Sequence, residues 1–325
     1  MEDSSVKIVC EAGINHNGSI KLAKKLIDVA AKAGCDAVKF QTFIAEEEVT
    51  NKSKKYRDMI KKLEFNEEQH KELMKYCKKK KIMFLSTPSE GKSAEMLNRL
   101  GVQAFKIGSN DIITLPFLEQ IARYKKPIIL SRGMATMQEI DEALETIRGQ
   151  SNNSIILLHC TSNYPAENKD LNLNVIKTLK EDFNIPIGYS DHSKGIDAAV
   201  YAVVLGAEVI EKHITLDRNL PGPDQKMSIE PKELIEMVKR IREAEVMLGT
   251  GIVIPTKSEL NMRKHTRKGI VASRDIQKGE KIYLDNITYK RPMIGIPANR
   301  YKEIIGKVAK SKIKKDEYIT YRRLK

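Results

Sequence analysis

From Lys7 to Leu248, short apolar runs alternate with segments of helical periodicity. Apolar runs of this length, bounded by glycine and polar residues, predict buried strands. They fall at 7–12, 37–41, 82–86, 104–107, 128–131, 155–159, 187–189 and 207–210. The helical segments fall at 20–33, 67–79, 92–100, 115–124, 136–148, 173–182, 196–205 and 231–248. Each predicted strand is followed by a helix, which indicates parallel βαβ units.

Eight such units predict an α/β fold, a (β/α)8 TIM barrel over residues 1–248. A doubly wound sheet is the alternative, but it does not require eight regular units, and no GxGxxG motif follows the first strand. The long polar connection at 46–63 is a candidate lid over a site. Residues 249–268 contain glycine, proline and a basic run and predict a linker. Residues 269–325, with short apolar runs and turns, predict a small second domain.

Two histidines follow consecutive predicted strands, His192 after the seventh and His213 after the eighth. The carboxyl ends of neighbouring parallel strands lie about 5 Å apart, so the two imidazoles can share one divalent metal ion. The alternative is two unrelated loop residues. Glu211 lies two residues before His213 and points to the same face of a strand. Glu11 ends the first strand, which neighbours the eighth in a closed barrel, and is a candidate general base or sugar-hydroxyl binder.

Functional residues of a barrel lie just after its strands, at one mouth. Lys39 and Lys106 end the second and fourth strands. Together with the hydroxyls of Thr87, Ser109 and Ser131 they predict a phosphate site, because cations and hydroxyl donors suit phosphate oxygens. The alternative is that the lysines are solvated and the hydroxyls cap helices.

Composition narrows the function classes. The formal net charge is +14, but the 57 basic residues are spread along the chain and face 43 acidic ones. Trp is absent and basic residues are not interleaved with aromatic ones, which disfavours a nucleic-acid-binding surface and leaves an anionic substrate. The four cysteines form no CxxC pair and are expected to be reduced and structural. Without an apolar run of membrane-spanning length or a signal pattern in residues 1–10, we expect a soluble, cytoplasmic protein.

Ten short motifs lie in order along the chain. They are EAGINHNG (11–18), VKFQ (38–41), LSTP (85–88), FKIGS (105–109), LSRGM (130–134), HCT (159–161), YP (164–165), YSDH (189–192), EKH (211–213) and GPD (222–224). In this set the chain closely resembles the sialic acid (N-acetylneuraminate) synthase family. The segment 269–325, with RP at 291–292 and GIP at 295–297, resembles the antifreeze-like (SAF, β-clip) domain of that family.

The resemblance implies a transferase that condenses phosphoenolpyruvate (PEP) with the open-chain aldehyde of an N-acetylated hexosamine. It implies Mn2+ or Mg2+ bound by His192 and His213, and a homodimer with swapped SAF domains. The remaining implied roles are listed by substrate. PEP is bound by Lys39, Gln41, Thr87, Lys106, Ser109, Ser131 and Ser190; the amino sugar by Ser162, Tyr164, Asp224 and Arg291; and catalysis involves Glu11, Asp111, His192 and His213.

Four positions depart from the sialic acid pattern: Asp111, Arg132, Ser162 and Met293 stand where Glu, Thr, Asn and Gly are usual. N-acetylmannosamine is the first expectation for the sugar. The alternatives are its 6-phosphate and a 2,4-diacetamido-trideoxyhexose leading to legionaminic or pseudaminic acid. A different PEP–aldose barrel lacks the C-terminal tail, and a sugar-binding SAF protein with an inactive barrel would not need Glu11 and Lys39.

Overall fold

The computed structural model describes residues 5–325. The first four residues of the segment searched for a signal pattern lie outside that range. Within it, no helix has the length and apolar character needed to cross a membrane. The chain divides into two compact units, Met1–Gly249 and Thr250–Lys325.

The first unit alternates strands and helices. The strands are β1 (Lys7–Gly13), β2 (Ala37–Thr42), β3 (Met83–Pro88), β4 (Phe105–Ile107), β5 (Ile128–Ser131), β6 (Ile155–Cys160), β7 (Ile187–Asp191) and β8 (Val209–His213). The helices are α1 (Ile20–Ala33), α2 (Ala45–Glu48), α3 (Lys54–Lys61), α4 (Glu67–Lys80), α5 (Gly91–Leu100), α6 (Leu115–Arg123), α7 (Met137–Gly149), α8 (Val175–Phe183), α9 (Asp197–Val204) and α10 (Pro231–Leu248). All the strand pairs are parallel, in the order β3-β2-β1-β8-β7-β6-β5-β4, and β3 contacts β4 to close the ring. The predicted (β/α)8 barrel is confirmed.

Local signals in the sequence explain the helix boundaries. The hydroxyl of Ser19 accepts a hydrogen bond from the backbone of Leu22 at the start of α1, and Gly34 ends that helix with φ +84°. Thr136 and Glu139 form the expected capping box before α7. Pro231 opens α10, where its missing N–H costs no helical hydrogen bond.

The last two strands extend further than predicted. β7 runs to Asp191 and β8 to His213, because Ser190 pairs with Glu211 and Asp191 with Lys212 in the parallel ladder. The polar connection at 46–63 is largely helical: it contains most of α2, a 3-10 turn at Asn51–Ser53 and all of α3. Acidic residues in the first turn of α2 suit the helix dipole, so high polarity did not mean irregular structure.

The inside of the barrel changes from apolar to polar along each strand. An apolar cluster inside the ring contains Val9, Ala37, Leu85, Ala104, Ile129, Leu158 and Val209. Two residues further along the same strands, and therefore on the same face, are Glu11, Lys39, Thr87, Lys106, Ser131, Cys160 and Glu211. The apolar layer fills the bottom of the barrel, and the next layer forms a polar floor at the carboxyl ends of the strands.

The second unit has its own apolar core, which includes Ile270, Ile282, Ile296 and Ile319. Its strands β9 (Gly269–Ala272) and β10 (Ile287–Lys290) are antiparallel, with Ile287 opposite Ala272. The turn expected at 278–280 is present, with Gly279 at φ +88°. The stretch expected to be a linker, 249–268, contains α11 (Lys257–Thr266), which begins with a capping box at Thr256.

Candidate active site at the carboxyl ends of the strands

A cavity of ≈ 460 Å³ opens above the polar floor of the barrel. Most of the residues predicted to be functional line it. They are Glu11, Lys39, Gln41, Thr87, Lys106, Ser109, Asp111, Ser131, Tyr164, Ser190, His192, His213 and Asp224. The structure therefore brings together side chains from all eight strands or the loops that directly follow them.

Two buried lysines form the cationic side of the cavity. Lys39 Nζ donates to Thr87 Oγ1 at 2.9 Å, and Lys106 Nζ donates to Ser131 Oγ at 2.8 Å. Both lysine side chains are almost completely buried, so their charges act in a medium that screens them weakly. Two ammonium groups, each next to a hydroxyl, form a suitable binding site for a phosphate group.

Glu211 lies between these lysines and was not predicted to have a role. Its carboxylate oxygens lie 3.8 Å from Lys39 Nζ and 3.8 Å from Lys106 Nζ, and Ser190 Oγ donates to it at 2.9 Å. Burial opposes ionisation, but the two lysines outweigh it and lower the pKa of Glu211. The signal in the sequence that could have identified Glu211 is its position two residues before His213, which puts both side chains on the same face of the strand. The Glu211 carboxylate favours the charged form of both lysines, although burial keeps the pKa of Lys106 below its usual value.

Glu11 has a different electrostatic environment. Its Oε2 lies 2.8 Å from Lys39 Nζ, and Gln41 Nε2 donates to its Oε1 at 3.3 Å. Burial nevertheless raises the pKa of Glu11 to about 7, against the attraction of Lys39. Burial also favours the neutral form of Lys39, but the carboxylates of Glu11 and Glu211 raise the Lys39 pKa. Glu11 can therefore exchange a proton near neutral pH.

His192 and His213 face each other with ring centroids 5.5 Å apart. His192 Nδ1 lies 2.8 Å from the carbonyl oxygen of Thr161, which makes Nδ1 the donor and leaves Nε2 with a free lone pair. His213 Nδ1 is buried and has no hydrogen-bond partner among residues 5–325. Burial lowers the pKa of both rings, so both are neutral, the form that binds metals.

Two neutral imidazoles this close together have the donor chemistry to contribute to a divalent cation site. Within the described chain, no group of three or more His, Cys, Asp or Glu side chains is arranged to hold a metal ion. Asp224 Oδ2 lies 3.8 Å from His213 Nδ1, and the ring of Tyr164 lies 4.3 Å from the ring of His192, centroid to centroid. An aromatic ring and a carboxylate thus border the histidine pair.

Asp111 is a further carboxyl group that lines the cavity. Burial raises the pKa of Asp111 to about 6, partly offset by a hydrogen bond from Asn110 Nδ2 (2.9 Å) and by Lys106. The neighbouring Ser109 lies with its Oγ 3.1 Å from Ser162 Oγ. Ser162 itself does not line the cavity, and its contact with Ser109 is its link to the site.

Several residues that follow strands have packing roles. The ring of His16 is completely buried and stacks on Phe65 at 4.0 Å. His159 lies between the guanidinium of Arg132 (3.1 Å) and the carbonyl oxygen of Leu171 (2.7 Å), and burial lowers its pKa to about 4. These histidines line no part of the cavity, so position after a strand did not by itself identify a site residue.

Other lining residues were not predicted. Glu48 and Tyr56 come from α2 and α3, so the segment proposed as a lid does contribute to the cavity wall. Ser89, Asn110 and Cys160 also line it, and Cys160 is a free, buried thiol. Arg291, predicted to bind the sugar, directly follows β10 in the second unit, and its role stays a prediction.

Comparisons with known proteins agree with this geometry. The NeuB family model matches residues 26–253, and the SAF domain model matches residues 267–325. The chain is 46% identical to the N,N'-diacetyllegionaminic acid synthase of Campylobacter jejuni subsp. jejuni, covering 96% of this chain and 98% of that protein. It is 41% identical to the synthase of the same name from Legionella pneumophila subsp. pneumophila, covering 92% and 89%.

A solved structure has the same fold. The N-acetylneuraminic acid (sialic acid) synthetase of Leptospira borgpetersenii serovar Hardjo-bovis, in complex with citrate, matches with a TM-score of 0.76 and 41% identity. The match covers 79% of this chain and 90% of that one. The barrel has its polar floor and histidine pair at the strand ends, and both domain models match in order. The chain therefore belongs to the NeuB family and carries a C-terminal SAF domain.

Proposed function

We propose that the protein condenses PEP with the open-chain aldehyde of an N-acetylated hexosamine, giving a nine-carbon 2-keto acid and phosphate. The observation that carries this proposal is that one cavity is lined by two chemically different groups. Lys39 and Lys106 form a cationic phosphate site, and His192 and His213 form a two-imidazole site. Such a cavity suits two substrates, one of which is a phosphorylated acid.

On the PEP side, Lys39 and Lys106 bind the phosphate, and Thr87 and Ser131 orient their ammonium groups. The three further PEP-site residues of the proposal are Gln41, Ser109 and Ser190. A phosphate next to Lys39 repels the carboxylate of Glu11 and favours its protonated form. Glu11 then donates a hydrogen bond to the reacting atoms, and Tyr164 and Asp224 contact the sugar.

His192 and His213 would hold Mn2+ or Mg2+, which would polarise the aldehyde oxygen as a Lewis acid. C3 of PEP attacks the aldehyde carbon, the new C–C bond forms, and the aldehyde oxygen takes a proton from Glu11. Water then adds to the oxocarbenium-like C2 and gives one proton to the carboxylate of Asp111. The C2–O bond to phosphate breaks and phosphate leaves with the bonding electrons and the proton held by Asp111, while the remaining hydroxyl at C2 returns its proton to Glu11 and becomes the keto group.

For the sugar, we propose a 2,4-diacetamido-trideoxyhexose leading to a legionaminic-type acid. Two similar relatives carry the name N,N'-diacetyllegionaminic acid synthase, and Ser162 stands where the sialic acid pattern has Asn. N-acetylmannosamine, which the motif pattern favoured, is the second candidate, and the Leptospira synthetase supports it. Its 6-phosphate and a pseudaminic acid precursor complete the set to be tested.

The assembly proposed is a homodimer in which each SAF domain contributes Arg291 to the partner's cavity. It rests on the family resemblance and on Arg291 belonging to a unit with its own core. Since PEP is made inside cells, we propose that the enzyme works in the cytoplasm.

The test is phosphate release from PEP with each sugar of the panel in the presence of Mn2+, followed by mass spectrometry of the product. We expect turnover with at least one sugar, loss of turnover in EDTA and recovery when Mn2+ is restored in excess. If PEP binds but no sugar of the panel is turned over, the synthase proposal fails and the sugar-binding reading of the SAF domain gains support.

A further inference from the structure

Lys212 and Asp191 form an ion pair on the outer face of the barrel, behind the histidine pair. Lys212 Nζ lies 2.7 Å from Asp191 Oδ2, and the side chains are 1% and 0% exposed. The residues are direct neighbours in the ladder between β7 and β8. Because side chains alternate along a strand, both point away from the cavity while Ser190, Glu211 and His213 point toward it.

The ammonium group of Lys212 makes a second hydrogen bond, to the carbonyl oxygen of Ser193 at 2.6 Å. Asp191 and Ser193 are the residues on either side of His192, and Lys212 directly precedes His213. The ammonium group of Lys212 therefore contacts the residues on both sides of His192, and Lys212 itself is adjacent to His213 in the chain.

The other oxygen of Asp191 fixes the turn that carries His192. Its Oδ1 accepts from the backbone N–H of Ser193 at 2.8 Å and from the hydroxyl of Ser193 at 2.7 Å. The hydroxyl of Tyr189 donates to the same oxygen at 3.3 Å. The carbonyl oxygen of His192 accepts from the backbone N–H of Ala166 at 2.9 Å. The backbone on both sides of His192 is thus held in one position.

Stability alone does not explain this pair. The pair is almost completely buried, and Glu233 and Arg218 are further charged groups that act on Lys212. Removing two charges from water is costly, and replacing a buried ion pair with apolar residues of similar volume is often neutral or stabilising. Apolar replacements cannot bind the Ser193 carbonyl, however, so the turn would lose its fixed position.

We propose that the Asp191–Lys212 pair is a positioning device that sets the distance and orientation between His192 and His213 for a divalent cation. This inference rests on the proposed metal-dependent function. Neither residue lines the cavity, so both act through the histidines and neither is a catalytic residue.

The test compares the parent with the double variant Asp191→Leu/Lys212→Met. A matched control is Lys180→Met/Glu208→Leu, which removes an exposed ion pair of 3.1 Å near the same strand. Melting temperature, Mn2+ affinity by calorimetry, 14N couplings of bound Mn2+ by electron paramagnetic resonance, and PEP affinity are measured. We expect the double variant to melt close to the parent, to bind Mn2+ at least tenfold more weakly with an altered 14N signature, and to keep its PEP affinity within twofold.

Unchanged Mn2+ affinity and 14N couplings in a folded double variant would overturn the positioning role while leaving the proposed function intact. Equal losses of Mn2+ and PEP affinity would also overturn it, because they would indicate general loss of structure. If the parent itself binds no Mn2+, both the metal assignment and the positioning role fail. Should the double variant not fold, Asp191→Asn, which keeps an oxygen acceptor for Ser193 and removes the charge, is judged by the same criteria.

Discussion

Lys39 Nζ lies 2.8 Å from Glu11 Oε2, joining the ends of two adjacent strands on the floor of the cavity. The pair is buried, and Glu211 lies 3.8 Å from the same ammonium group, so Lys39 is fixed between two carboxyl groups. In the proposed function, a phosphate bound there shares the ammonium group with Glu11. The proposed phosphate site would then have its cation already in position before PEP binds.

Lys39→Met is expected to weaken PEP binding about 10- to 100-fold. A hydrogen bond to a charged group contributes about 1.5–3 kcal/mol, and about 1.4 kcal/mol corresponds to a factor of ten. Isothermal titration calorimetry with PEP measures the effect. Lys75→Met, which removes an exposed lysine from α4, is the control and should bind PEP like the parent. Equal PEP affinity in Lys39→Met and the parent would remove Lys39 from the phosphate site.

The pH dependence of turnover should reveal Asp111. Its pKa is raised to about 6, and only the ionised carboxylate can take a proton from water. Turnover should therefore fall with decreasing pH through about 6, approaching a tenfold loss per pH unit below it. A pH–rate profile of kcat at saturating substrates checks this.

The matched variant is Asp111→Asn, which cannot ionise. Its residual turnover should be much lower and should no longer fall with decreasing pH near 6. If the turnover of the variant still falls there, another group is responsible for the pH dependence.

The sequence predicted the barrel and most of the cavity because both follow from short-range periodicity. Polar residues two positions after an inward apolar residue, such as Lys39 after Ala37, share its face, and parallel strands bring such positions together. Periodicity does not distinguish a residue that enters the cavity from one in the helix layer. His16 and His159 follow strands yet are packed away from the cavity, and only tertiary contacts show this.

Glu211 and the Asp191–Lys212 pair show the opposite limit. The period of two puts Glu211 on the face of His213, but only the ladder between β7 and β8 and the tertiary contacts show that Glu211 reaches both lysines and that Asp191 pairs with Lys212. The helices in the long polar segment between β2 and α4 were not predicted for a similar reason. Its charges lie on the exposed faces of short helices, while Ile60 and Ala45 pack inward.

We expect Gly133→Ala to impair the proposed PEP site and to destabilise the protein. Gly133 has φ +49°, and a Cβ there would lie 2.2 Å from the Cβ of Ser109 and 2.7 Å from Ser162 Oγ. Relief of this clash requires Ser109 to move, so we expect at least a tenfold loss in kcat/KM for PEP and about 1–3 kcal/mol of destabilisation. Steady-state kinetics and urea denaturation measure the two effects.

The control is Gly149→Ala, at the end of α7. A Cβ at Gly149 has nothing within 4 Å, and alanine favours the helix by up to about 1 kcal/mol. This variant should keep parental kinetics with equal or slightly higher stability. Similar kinetics in both variants would show that the Ser109–Gly133 contact does not shape the PEP site.

The swapped dimer can be tested by complementation between two inactive variants. His213→Ala damages the barrel and keeps Arg291, whereas Arg291→Ala keeps the barrel and loses the sugar contact from the SAF domain. In a swapped mixed dimer, one site combines the intact barrel with the intact SAF domain. Equal mixing makes about half the dimers mixed, so recovery of about a quarter of the parental activity is expected.

Without swapping, every site in the mixed dimer carries one damaged part, and activity stays at the level of the separate variants. Mixing His213→Ala with His192→Ala is the control, because both barrels are damaged and neither arrangement restores a site. Native mass spectrometry of differently tagged subunits shows that exchange has occurred. Absence of recovery after proven exchange would contradict the swapped arrangement and place Arg291 either in the cavity of its own subunit or outside the site.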